Sequence, residues 1–164
     1  KAYHEDPVGR EIIRRIMELD TQDSDPYLRI AYLPDYDMDL AKYLISGVDV
    51  WLNTPQLSYE ASGTSGMKAC LNGIPNISVN DGWWIEGGVH GVNGYTIEGL
   101  SEQAEIESMY QHVLEAITKY HEHPDDWARM QRAAISLVAS YFNTHRMLME
   151  YMTKGYSPST LLEE

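Results

Sequence analysis

The sequence predicts an α/β fold: a parallel sheet wrapped by helices, followed by a purely helical C-terminal third. Three observations carry that expectation. Short runs rich in β-branched and aromatic residues, at 27–33, 48–52, 75–79 and 94–97, alternate with helical stretches through the first hundred residues, the pattern of strands joined by crossover helices. Beyond Leu100, Ile106, Met109, Tyr110, Val113, Leu114, Ile117 and Tyr120 recur at helical spacing with charges between them, which reads as a long amphipathic helix. The 164 residues are 43% hydrophobic and 23% charged, an ordinary globular balance that argues against disorder or a fibrous architecture.

The elements follow in order. Asp6 and Pro7 read as an N-cap and a first-turn proline, opening a helix to about Asp20 whose Val8, Ile12, Ile13, Ile16 and Leu19 form one buried stripe. After a polar loop come the first strand, at 27–33, and a short helix from Met38 ending at Gly47. The second strand is 48–52 and the third is 75–79. An Asp81-Gly82 turn and a fourth strand over Gly94–Ile97 complete the sheet. Pro124 opens a further helix carrying Trp127, Met130, Ile135, Leu137 and Val138, and Asn143 or Thr144 caps a last one through Tyr151. One domain is expected over 1–164, with an α/β part at 1–100, a helical part at 101–156 and a frayed tail at 157–164.

Several classes of function are disfavoured. A formal net charge of −13 repels phosphodiester backbones and anionic lipid, and no Lys/Arg cluster overcomes it locally, so neither nucleic acid nor membrane is expected as a partner. No apolar run approaches the roughly 20 residues that span a bilayer. The single cysteine, Cys70, can form no intrachain disulfide and no thiolate zinc site, which suits the cytoplasm. His121 and His123 lead from an amphipathic helix into a Pro-Asp-Asp turn as surface residues, and no metal site is expected.

One segment carries chemistry. Ser62-Gly63-Thr64-Ser65-Gly66 sets small residues with free backbone N–H groups ahead of a short helix ending at Asn72-Gly73. Glycines let the chain curl round an anion, the first helical turn offers unsatisfied N–H donors, and the Thr64 hydroxyl adds another. Lys68 brings a primary amine to the same place, able to pair with phosphate or, when desolvated, to attack an aldehyde. Glu60 stands at the entrance with a carboxylate suited to hydroxyl groups. On these residues alone, an ordinary glycine-rich turn with a solvated Lys68 stands beside the phosphate-binding reading.

The stretch Glu60-Ala61-Ser62-Gly63-x-Ser65-x-Met67-Lys68-x-x-Leu71-Asn72 resembles the pyridoxal-phosphate signature of the α-glucan phosphorylases, the glycogen, starch and maltodextrin enzymes. The flanking AYLPDYDMDLAKYLISGVDVWLNTP and NGIPNISVNDGWWIEG resemble the short bacterial members. KAYHEDPVG resembles the family's Gly-Lys-Ala-His-Pro segment, with Tyr3 inserted. The resemblance is strongest from Tyr32 to Ile97. It implies a Rossmann-like parallel sheet, the C-terminal half of a GT-B type glycosyltransferase fold. It also implies a retaining transfer of glucose from the end of an α-1,4-glucan to phosphate, giving glucose 1-phosphate, with pyridoxal 5′-phosphate as cofactor.

Carried over position by position, the resemblance implies that Lys68 holds the cofactor and that Thr64 and Ser65 bind its phosphate. Glu60, Ala61, Ser62 and Gly63 would bind the glucosyl unit, Glu60 and Lys68 being the catalytic pair. Tyr36 matches a tyrosine lining the cofactor pocket, and the next position, arginine in the classical enzymes, is Asp37 here. Asp81-Gly82 and Glu86 match an Asp-Gly-x-x-x-Glu pattern. Trp83-Trp84 and the Met147, Met149 and Met152 group read as packing, with sugar stacking the alternative for the tryptophans.

The family's phosphate-binding Arg-x-x-x-Tyr-Lys-Arg segment has no counterpart in these residues, nor has the glucan-binding N-terminal half. A fragment inactive by itself is therefore expected, its sheet short of one or two strands and exposed or paired with another copy as a homo-oligomer. Two alternatives remain at this level: a sugar-nucleotide-dependent retaining glycosyltransferase of the glycogen synthase kind, and a noncatalytic glucan-binding domain.

Overall fold

The computed structural model describes residues 5–22 and 29–156. Lys1 to His4, most of the loop before Arg29, and the tail expected to fray lie outside the described residues. The chain divides into two compact units, Lys1–Tyr43 and Leu44–Glu164.

In the first unit α1 spans Pro7–Gln22. Asp6 caps it as expected, its Oδ1 accepting the N–H of Gly9 at 2.8 Å. The stripe expected to be buried is not: Val8, Ile12, Ile16 and Leu19 are all exposed. A second departure concerns the strand expected at 27–33. Residues 29–33 form no ladder among the described residues, and 27 and 28 lie outside them. Among the described residues this unit contains no strand for it to pair with, and a strand needs a partner for its N–H and C=O groups. α2, Met38–Gly47, crosses from one unit into the other. Asp37 caps it, Oδ1 accepting the N–H of Leu40 at 2.9 Å.

The second unit is built on a parallel three-stranded sheet in the order β1 (Trp51–Asn53), β2 (Asn76–Val79), β3 (Gly94–Ile97). The register sets Trp51 beside Asn76, Asn76 beside Gly94 and Val79 beside Ile97. β3 has the predicted bounds, and β1 and β2 fall within a few residues of theirs. Each strand pair is joined by a crossover: α3 (Ser65–Leu71) between β1 and β2, and α4 (Trp84–Gly87), a single turn not foreseen, between β2 and β3.

Every residue of β2 and β3 is buried. Ile77, Val79, Tyr95 and Ile97 face a cluster with Ala116, Trp127 and Met130. These last three come from α5 (Glu102–Glu122) and α6 (Pro124–Tyr141). Further along, α6 adds Ala134 and Val138 to a second cluster with Cys70, Trp83 and Trp84. α6 therefore braces both the sheet and α3.

The helical third is capped as its sequence suggests. Ser101 Oγ accepts from the N–H of Ala104 at 3.3 Å, Glu102 and Glu105 lie in the first turn of α5, and Lys119 lies in its last. Asn143, rather than Thr144, caps α7 (Thr144–Glu150) by accepting the N–H of Arg146 at 2.9 Å. A π-helical turn over Tyr151–Tyr156 continues it. Met147, Met149 and Met152, expected to pack, are each at least half exposed, because α7 adds no buried residue to the unit.

Ile77 is 1% exposed at the centre of the first cluster. Ile77→Ala is expected to cost about 2–5 kcal/mol of stability, the transfer term plus the cavity it leaves, measured by urea denaturation followed by tryptophan fluorescence.

Candidate functional site

The loop from Thr54 to Thr64 leaves the carboxyl end of β1 and delivers the chain to α3. In parallel sheets this is the end where ligands gather. Two ties hold the loop against the turn after β2. Asp81 Oδ2 accepts the N–H of Glu60 at 3.0 Å, and Asp81 Oδ1 accepts that of Gly82 at 2.9 Å. The carbonyl of Ser62 accepts the N–H of Trp83 at 2.8 Å. Gly82 sits at φ 54°, and a Cβ there would lie 2.5 Å from the Ser62 oxygen. Only glycine permits that approach.

The donors around Asp81, that of Glu60 first, then those of Gly82, Ser58 and Tyr59, outweigh its burial and hold its carboxyl below the usual carboxylate range. Ser58, two residues before Glu60, is itself at φ 70°, a conformation that costs an L residue about 1–2 kcal/mol and persists where neighbours enforce it.

Glu60 is half-buried, and its carboxylate has no hydrogen-bond or ion-pair partner among the described residues. Its Oε1 lies against Gly63, 2.7 Å from where a Cβ would be; Gly63 is at φ 74°. Thr64 precedes α3, where its carbonyl accepts the N–H of Lys68 at 3.1 Å while its side chain makes no capping bond. The hydroxyl is therefore left for another acceptor or donor. Thr64 and Lys68, four residues apart, share one helical face and are both exposed. The Lys68 amine has no partner among the described residues.

The opposite face of α3 is buried: Gly66, Ala69 and Cys70. A Cβ on Gly66 would come within 2.4 Å of Asn76 Oδ1 and 3.0 Å of the Trp83 ring, so this glycine sets how closely α3 rests on β2. Asn76 Nδ2 donates to the Gly66 carbonyl at 3.2 Å and to Cys70 Sγ at 2.9 Å. Asn76 Oδ1 is buried without a partner. Sequence reasoning passed over Asn76, whose only signal was a polar residue, as Ser78 is, in a strand run with Ile77 and Val79.

The structure thus brings Glu60, Ala61, Ser62, Gly63, Thr64, Ser65 and Lys68 onto one continuous segment at one end of the sheet. Tyr36 belongs to the first unit, where it is exposed between Asp35, at φ 53°, and the α2 cap. Asp37, the residue that departs from the classical pattern, is that cap. Glu86 is exposed on α4. Trp83 and Trp84 are core residues, 4% and 1% exposed, packed edge to face at 5.2 Å, with Trp84 Nε1 donating to Thr96 Oγ1 at 3.0 Å. Sugar stacking is excluded for them as they stand. His121 and His123 are exposed, and no group of three or more metal-ligating side chains occurs among the described residues. No described helix is long and apolar enough to cross a membrane. A cavity of about 210 Å³ between the carboxyl ends of β2 and β3 and the start of α5 is lined by Thr54, Val79, Ile97, Glu105 and Ile106 among others, and by none of the motif residues.

The parallel sheet with its flanking helices is the fold expected of half of a GT-B type glycosyltransferase. Among solved structures, Anabaena Alr3699/HepE in complex with UDP-glucose matches with a TM-score of 0.61 over 92% of this chain and 38% of that one, at 17% identity. At that identity the likeness is one of fold. The family is shown by sequence: the model for carbohydrate phosphorylases matches residues 1–155, and the chain belongs to that family. Maltodextrin phosphorylase of Thermococcus litoralis is 42% identical over 96% of this chain. Glycogen phosphorylase of Aquifex aeolicus is 43% identical over 96%. The chain spans 20% and 24% of those two relatives, respectively.

Burial pushes the Cys70 thiol from its ordinary 9.0 up to about 12, against a smaller opposing effect of the Asn76 amide. A thiol raised in the folded state contributes stability that is complete below its unfolded pKa and is lost as pH rises through and above it. Cys70 is therefore expected to resist a disulfide reagent at pH 8 in the folded protein and to react fully in denaturant, with stability falling as pH rises above about 9; absorbance of the released thiolate and urea titrations at pH 8 and 10 measure both.

Proposed function

We propose that this chain supplies the glucosyl- and cofactor-binding part of an α-glucan phosphorylase, which transfers glucose from an α-1,4-glucan to inorganic phosphate to give glucose 1-phosphate. The observation that carries the reading is the run of groups along one short segment that have no partner among the described residues. Glu60's carboxylate, Thr64's hydroxyl and Lys68's amine are all available, while the backbone between them is fixed. Family membership supports it, since the relatives named above are maltodextrin and glycogen phosphorylases.

The residues fit pyridoxal 5′-phosphate. The glycine at φ 74° forms a turn that a side chain would fill, the adjoining helix start is free of a side-chain cap, and a primary amine lies one helical turn along the same face. Lys68 holds the cofactor through its amine, and Thr64 and Ser65 give hydroxyl and main-chain donors to its phosphate. When bound, the cofactor supplies a phosphate with a second pKa near 6, suited to proton exchange close to neutrality. Glu60 accepts hydrogen bonds from the glucosyl hydroxyls, and the main chain of Ala61, Ser62 and Gly63 fixes the same sugar.

The cationic residues that bind substrate phosphate come from another part of the polypeptide, so these residues alone do not turn over. The enzyme acts in the cytoplasm, consistent with one buried, unpaired cysteine. A sugar-nucleotide transferase is the less favoured reading: it shares the fold but gives Lys68 no task.

Borohydride reduction of the full-length, cofactor-supplied protein followed by peptide mass spectrometry is expected to place a pyridoxyl adduct on Lys68 and on no other lysine; an unmodified Lys68 sinks the reading. Phosphate-dependent release of glucose 1-phosphate from maltodextrin is expected from the same protein. Glu60→Gln should lower kcat/KM by about 10- to 100-fold, the loss of a charged hydrogen-bond acceptor.

A further inference from the structure

None of the proposed chemistry uses Asp81, a buried carboxylate spent entirely on backbone N–H groups. We propose that Asp81 is a positioning residue for the glucosyl site: its carboxylate fixes the main chain at Glu60 and so sets where the Glu60 carboxylate stands. The inference rests on reading Glu60 as the glucosyl ligand.

Four features carry it. The two Asp81 oxygens are divided, one to the N–H of Glu60 itself and the other to that of Gly82, so the strand-end turn and the Glu60 loop share a single carboxylate. The Ser62 to Trp83 bond closes the same span from its other end, and the three residues from Glu60 to Ser62 are bracketed. Among the described residues Glu60's carboxylate has no partner of its own, so its aim depends on its backbone. Ser58, at φ 70°, brings the chain to Glu60 in a conformation that needs an external hold.

An anion suits this task for a specific reason. A carboxylate presents acceptors on both oxygens, whereas an amide of equal size presents one acceptor and one NH₂ group. In Asp81→Asn one of the two N–H groups, that of Glu60 or that of Gly82, would face another donor. The tie would then break on one side with little change in volume.

The test is a double-mutant cycle in the full-length protein, with maltodextrin and phosphate as substrates. Asp81→Asn is expected to lower kcat about tenfold while leaving the KM for phosphate within about twofold. Combined with Glu60→Gln it should add little, because both act through the same carboxylate. Hydrogen exchange should accelerate in peptides spanning 58–62 and remain unchanged in β2 and α6. Asp81→Glu, run through the same cycle, keeps the charge and provides the comparison should Asp81→Asn fail to fold. Independent, multiplying penalties in an active enzyme, or faster exchange throughout the domain, would overturn the proposal alone. Absence of phosphorolysis in the wild-type protein would remove the glucosyl reading of Glu60, and the proposal with it.

Discussion

The contact between Gly66 and Asn76 decides where the functional face of α3 lies. With no side chain at Gly66, the helix settles onto β2 until its backbone meets the Asn76 amide, 2.4 Å from where a Cβ would be. The same amide then donates to the helix at Gly66 and Cys70. A helix of seven residues has little stability of its own. Its place comes from this docking and from Ala134 and Val138 of α6 beneath Cys70. Thr64 and Lys68 are exposed because Gly66, Ala69 and Cys70 are buried: one face pays for the other.

The loop ahead of α3 is governed by a different economy. Its backbone N–H groups cannot be satisfied by a ladder, and a single acidic residue collects them. Packing under the helix and charge under the loop thus meet at the carboxyl end of β2, within the six residues from Asn76 to Asp81. The central strand supplies the support for the helix and, one turn later, the anchor for the loop.

Much of this was legible in the sequence. β3 and the long helices announced themselves through period and caps, and the Glu60 to Lys68 segment through its residue types and its likeness to a known signature. What the sequence could not convey was tertiary. Residues 27–33 have strand composition, yet pairing needs a neighbour that composition does not reveal. The α1 stripe has helical period, yet whether Val8 and Ile12 are covered depends on what lies opposite. Asn76 drew no reading of its own and Asp81 read as half of a turn; their partners are 10 and 21 residues away. Asp37 stands where the classical enzymes have arginine, and the structure gives it work as the cap of α2.

Trp83 is the place where these parts become observable together. Its ring packs edge to face on Trp84 and, at 5.5 Å, on Phe142, its edge borders Gly66, and its backbone N–H donates to the Ser62 carbonyl. An indole emits according to the polarity and stiffness of its surroundings. Seated between the lysine-bearing helix, the glycine loop and the end of α6, this one makes the combined emission of the four tryptophans sensitive to a shift of α3 or the loop without a foreign label.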